Sequence, residues 1–239
     1  MQHRIQKTRL SLAALAATAL FSAGARADLT PLDPVDFGGT GLGAVNTVLT
    51  IQSPGSTSTE SGSVAWDGSA DVLSGDVKTG ASQTLTRTLG DLGVLSADSL
   101  RVVFNASEPG NGANGITLDS LTFSAYAPTT GSLIFSASLL APVTYANTFL
   151  GAGNSGFVFG LTSSEAAAFA AAVTASGVSF DSIRAGLSAS ASNATGGNET
   201  FFIADAGGPI AAVPEPQTYA LLLAGLAGIG FVTRRRRHD

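Results

Sequence analysis

Acidic side chains are the main source of chemistry in the middle of this 239-residue chain. Glycoside hydrolysis needs two carboxylates across a cleft, and Glu60, Glu108, Glu165 and Glu199, with Asp67, Asp71, Asp76, Asp119 and Asp181, are the candidates. Most stand beside Gly or Ser in expected turns, and nothing in the spacing pairs two of them. Asp67 and Asp71 lie four apart in an oxygen-rich loop that could attract calcium. The loop departs from the D-x-[DN]-x-[DN]-G pattern, because Ser69 holds the third position and Val72 follows Asp71. Trp66, immediately before this loop, is the only tryptophan and the candidate stacking platform for a sugar, with Asp67 and Asp71 as polar neighbours. The competing expectation for Trp66 is a core position at the end of a strand.

Other chemistries are excluded by residue type. The chain has no Cys, and its two His, His3 and His238, lie in the terminal segments. A thiol nucleophile, a Ser-His-Asp triad and a His- or Cys-ligated zinc are therefore absent from the body. No metal and no cofactor is expected, and the reading is of a non-enzymatic protein. Residues 28–208 hold four basic and fifteen acidic residues, a net charge of −11. Such a body repels phosphate backbones, which argues against nucleic acid as a partner.

The elements that would position these residues read as strands. Leu100, Val102 and Phe104 alternate, as do Leu133, Phe135, Ala137 and Leu139, then Phe157, Phe159 and Leu161, then Ile183, Ala185, Leu187 and Ala189. Residues 45–51, 82–89, 116–126 and 199–204 add further strands, separated by Gly- and Asn-rich turns. The fold class expected is all-β, an antiparallel β-sandwich or jelly roll with one short helix. That helix begins at Thr162, whose spacing to Glu165 is that of a capping box, and ends at Gly177 as a crossover between strands. The segments 115–121 (GITLDSL) and 177–183 (GVSFDSI) share one pattern. Each is expected to be a turn glycine, a strand, an Asp-Ser bulge and a resumed strand.

Both termini read as addresses. Residues 1–27 resemble a secretory signal peptide: Arg4, Lys7 and Arg9, a twelve-residue apolar run over 10–21, then Ala25-Arg26-Ala27 as an A-x-A cleavage site before Asp28. Signal peptidase and the export machinery are the partners this implies. At the other end, a linker from residue 209 leads to Val213-Pro214-Glu215-Pro216. An apolar run over 219–232 follows, then Arg234, Arg235, Arg236 and Arg237. The apolar run is expected to be a transmembrane helix, with the arginines fixing its orientation on the cytoplasmic side.

This ordered set resembles the PEP-CTERM sorting signal of Gram-negative bacteria that secrete exopolysaccharide. In that family a Pro-Glu-Pro motif, a short transmembrane helix and an arginine cluster are handled by a membrane protease/transpeptidase, exosortase. The resemblance implies an inner-membrane intermediate and then the cell surface, outer envelope or extracellular matrix. It covers only residues 213–238 and transfers no activity to the body, since members carry unrelated bodies. The readings that remain are a structural protein of the surface or matrix, a carbohydrate-binding module, and, more remotely, a carboxylate-dependent glycosidase.

Overall fold

The computed structural model describes residues 27–35, 46–53, 57–80, 83–106, 115–145 and 156–206. In chain order these form β1 (Ala27–Val35), β2 (Thr47–Ile51), β3 (Thr59–Trp66), β4 (Asp71–Gly75), β5 (Arg87–Thr88), β6 (Leu100–Asn105) and β7 (Ile116–Tyr126). They continue as β8 (Leu133–Leu139), β9 (Val143–Tyr145), β10 (Gly156–Gly160), α1 (Ser163–Ser176), β11 (Arg184–Ser192) and β12 (Glu199–Asp205).

The all-β expectation holds, but the two-sheet sandwich is corrected. The strands follow one continuous hydrogen-bonded path, β2-β12-β6-β10-β1-β8-β7-β11-β3-β4, with β5 on β11 and β9 on β7. The seam is β1. Its first residues, Ala27 to Leu29, run parallel to β8, while Thr30 to Val35 run antiparallel to β10. Pro31 and Pro34 lie in this strand, and a proline cannot donate to a ladder, which suits a strand that changes partners along its length. The two ends of the path also meet. Gln52 N–H donates to the Asp76 carbonyl and Lys78 N–H to the Thr50 carbonyl, both at 2.9 Å, around a bridge between Ile51 and Val77. The result is close to a barrel, which leaves few open edges.

Inward positions fill one core. Leu29, Leu49, Ile51, Leu118, Phe123, Phe159, Leu187 and Phe201 belong to it. Phe104 stacks on Phe201 with ring centroids 4.8 Å apart, and Tyr145 lies 3.4 Å from Phe157, where burial pushes the phenol pKa up to about 12. Val103, Val158, Phe202 and Ala204 form a second cluster, two of them from β6 and β10 and two from β12.

The helix forms as its sequence implies. The Thr162 hydroxyl accepts from Glu165 N–H, the Glu165 carboxylate accepts from Thr162 N–H, and Gly177 ends the helix at φ 68°. Phe169 is fully buried and stacks on Phe135 at 4.6 Å, so α1 is the crossover from β10 to β11 packed on the sheet. The segment 82–89 yields only the two-residue β5, because its backbone serves the barrel closure: Leu85 N–H donates to Val48 and the Thr84 hydroxyl to Thr50.

The expected transmembrane helix is corrected as well. Among the described residues no helix is long and apolar enough to cross a membrane, and the run over 219–232 lies outside them. Fourteen residues at about 1.5 Å each also fall well short of a bilayer core of about 30 Å.

Candidate functional surface

The Trp66 corner is built by two hairpins that touch at their tips. Trp66 pairs with Asp71 across the β3–β4 hairpin. Gly68, at φ 103°, and Gly131, at φ 66°, let this hairpin approach the β7–β8 turn. A Cβ on Gly131 would lie 2.2 Å from the Asp67 carbonyl carbon, so no larger residue fits. Asp67 folds its carboxylate back on its own turn, accepting from Ser69 N–H and Ala70 N–H at 2.7 Å and from the Ser69 hydroxyl at 2.9 Å. The backbone donors of Ala70 and Ser69, then the Ser69 hydroxyl, hold its pKa below the usual carboxylate range. Asp71 accepts from Thr86 N–H at 3.1 Å and from the Thr86 hydroxyl.

Trp66 is half-buried and engaged on two sides. Its indole Nε1–H donates to the Pro128 carbonyl at 2.7 Å, and the Arg184 guanidinium lies 3.8 Å from the ring centroid. Arg184 in turn donates to the Thr86 carbonyl and hydroxyl at 3.1 and 3.0 Å. The structure thus brings Trp66 and Asp71 together with Arg184 and Thr86, while Asp67 turns away. The ring face under Arg184 is closed to a sugar. Arg184 had one signal in the sequence, as one of only four basic residues in the body.

Among the described residues the other candidate carboxylates do not converge on a cleft. Glu60 and Glu199 are buried, 4% and 0% exposed, on inward positions. Register places them at one end of the interior: Glu199 pairs with Ile51, whose Cγ2 fills the space where a Cβ of Gly62, two residues from Glu60, would stand. Glu60 Oε2 has no hydrogen-bond partner among the described residues. Carboxylates so enclosed cannot reach a glycosidic oxygen in this conformation. Glu165 caps α1, Asp76 accepts from Ser61 N–H, Asp119 accepts from the Ser192 hydroxyl, and Asp181 accepts from the Ser179 hydroxyl. Glu108 lies outside the described residues. Among those described, no three His, Cys, Asp or Glu side chains are grouped to hold a metal.

The outward face of β4, β3, β11, β7 and β8 carries a feature that reading strands singly did not reveal. Register aligns Ser74, Ser63, Ser188, Thr122 and Ser138 in one row across five strands. Ser61, Ser190 and Ser120 form the next row, and Thr59, Ser192, Thr117 and Thr144 a third. None of these twelve side chains is buried. Cross-strand hydroxyl pairs join Ser120 to Ser190 at 2.7 Å, Thr117 to Thr144 at 2.9 Å and Thr122 to Ser138 at 3.0 Å. Each pair uses one donor, leaving a further donor and several lone pairs available. The rows form a hydroxyl lattice, about 4.8 Å between strands and about 7 Å between rows, in which Asp119 accepts from Ser192 and Asp76 lies beside Ser61.

The three ordered parts of the C-terminal segment match one family model, the PEP-CTERM protein-sorting motif, over residues 212–237. The chain ends in a PEP-CTERM motif. The match spans Pro214, Glu215, Pro216 and the four arginines Arg234, Arg235, Arg236 and Arg237, all outside the described residues. No curated protein and no solved structure matches the chain. At the other terminus Ala25 also lies outside the described residues, while Ala27 opens β1 and is buried.

Proposed function

We propose that this is an exported, non-enzymatic structural protein of the cell surface or exopolysaccharide matrix. The observation that carries the reading is the PEP-CTERM motif over 212–237, because motifs of this kind accompany export and surface or matrix localisation in Gram-negative bacteria. Signal peptidase removes residues 1–27, an intermediate at the inner membrane presents Pro214-Glu215-Pro216, and an exosortase-type enzyme acts on the tail. Two prolines around Glu215 disfavour a helix on sequence grounds, and a protease needs its substrate extended. The engaged or buried state of Glu60, Glu165, Glu199, Asp67, Asp71, Asp76, Asp119 and Asp181 supports a structural rather than a hydrolytic role.

Alanine in place of Pro214, Glu215 and Pro216 tests this in the native host. The variant should keep its tail, seen by intact mass, and should fail to reach the surface fraction. Normal tail removal and release would overturn the sorting reading.

The hydroxyl lattice favours one second reading, adhesion to a neutral polysaccharide, since a hydroxyl-rich face with only acidic charges beside it, on an acidic body, repels polyanions and suits a partner without charge. Single hydroxyl contacts are weak, so retention would need many at once. The full chain should sediment with insoluble cellulose or β-1,3-glucan but not with alginate. Ser188→Arg, at an exposed central position of the lattice, should abolish that retention. Equal sedimentation of the variant would remove the lattice from the account.

A further inference from the structure

The peptide N–H of Asp28 donates to Glu165 Oε1 at 2.7 Å, across 137 residues of sequence. The second oxygen of the same carboxylate, Oε2, accepts from Thr162 N–H and from the Thr162 hydroxyl, both at 2.8 Å. Glu165 therefore spans two structural units, the start of α1 and the start of β1. A capping carboxylate commonly serves its own helix alone; here one oxygen is directed at a single nitrogen from a distant strand. That nitrogen follows the Ala25-Arg26-Ala27 sequence read as a cleavage site.

We propose that Glu165 is the receptor for the α-ammonium group created at Asp28 when residues 1–27 are removed. The inference rests on the export reading above. Hydrolysis of the Ala27–Asp28 peptide bond adds one water, breaks the C–N bond, leaves a carboxylate on Ala27 and gives Asp28 an ammonium group. The contact to Glu165 Oε1, until then between a neutral N–H and an ionised carboxylate, becomes an ion pair with charge on both donor and acceptor. Loss of Ala27 removes its pairing with Ala137, and the new ion pair holds the shortened β1 in place at that point. Leu29, buried next to it, keeps the strand seated.

The local charges suit this role. Glu165 is ionised: burial works to raise its pKa, but the Thr162 backbone and hydroxyl and the Asp28 N–H together bring it below the ordinary range. Among the described residues, β8, β10 and α1 contribute no other charged side chain. Among the described residues the other acid at the junction is Asp28 itself. The Asp28 carboxylate neighbours the amine in the unfolded chain as well, so it is Glu165, brought to the nitrogen by the fold, that raises the folded pKa above the unfolded value of about 7.7–8.0. The sign follows: the stabilisation is fully present below that unfolded value and is lost as pH rises through the raised one.

The test uses protein exported from the full-length gene, its start checked by terminal sequencing, beside a precursor in which Ala25→Arg blocks cleavage. Glu165→Gln is made in both, since glutamine still caps the helix. In the processed native protein the α-amino group should react with acetic anhydride near neutral pH about tenfold more slowly than in the Gln variant, for each unit of raised pKa. Glu165→Gln should also lower the thermal midpoint more in the processed chain than in the precursor. Equal acylation rates, or equal midpoint losses in both chains, would overturn the receptor role. A chain that starts at another residue would instead remove the cleavage reading, and the proposal with it.

Discussion

Segments 115–121 and 177–183 share a glycine, a central hydrophobic residue, an Asp-Ser step and a closing aliphatic residue, yet they fold differently. In the first, Gly115 turns at φ 60° and the chain enters β7 directly. Ile116, Leu118 and Leu121 point inward, and Asp119 is the extra residue of a bulge: Ser120 pairs with Ser190 while Leu118 pairs with Ala191. In the second, Gly177 is the left-handed cap of α1, and Phe180 to Ser182 form a 3-10 turn before β11 begins at Arg184. Phe180 packs 5.5 Å from Phe169 of the helix it has just left. The local sequences are near equivalents, so the deciding term is what precedes them. A helix end delivers the chain at a fixed angle, and the 3-10 turn re-aims it onto the sheet.

Substitutions at matched positions sharpen this contrast. Leu118→Ala, at a fully buried site, should cost about 2–5 kcal/mol in denaturant unfolding. Its counterpart Phe180→Ala, half-buried on the turn, should cost only about 1–2 kcal/mol. Equal losses would mean that the turn carries as much of the core as the strand does. Next in size, Gly177→Ala should cost about 1 kcal/mol, from the left-handed backbone alone, because no atom lies within 4 Å of its Cβ position. Acid should separate the segments in another way. Glu165 has a depressed folded pKa, so its contribution is present above the unfolded value and disappears as pH falls through the folded one. Protection factors over 163–183 should therefore fall, as pH is lowered, before those in β7 do, and Glu165→Gln should erase that order. The smallest effects belong to the two acids of the pattern. Asp119→Ala and Asp181→Ala each remove one exposed or half-exposed serine contact and should cost about 0.5–1 kcal/mol.

The strands around Leu100–Phe104, 116–126, 133–139 and 183–189 were legible because alternation within one strand is a local property, and the helix was legible from Thr162, Glu165 and Gly177. The bulge at Asp119 was legible too, although the same reasoning applied to Asp181 fails. What the sequence did not reveal depends on register between distant segments: the closure of Ile51 on Val77, the change of partner along β1, and the hydroxyl rows. Trp66 was correctly placed at a strand end beside a turn, but the cover supplied by Arg184 comes from a strand 118 residues later. The buried position of Glu60 was hidden because a charged residue on a strand is expected to face water.

The seam at β1 has a consequence for how the molecule comes into being. Thr30 pairs with Gly160 and Ala27 with Ala137, so the first strand finds neither neighbour until more than a hundred further residues are available. The last strand, β12, is inserted between β2 and β6, which lie about a hundred or more positions earlier. Little of the ring can be completed in pieces from the N-terminus. Topologies of this kind fold slowly, in milliseconds to seconds, because chain closure precedes the contacts that reward it. Under the export proposed above, slowness of this sort is an advantage, since a body that cannot lock before its final strand has emerged stays able to thread a narrow pore.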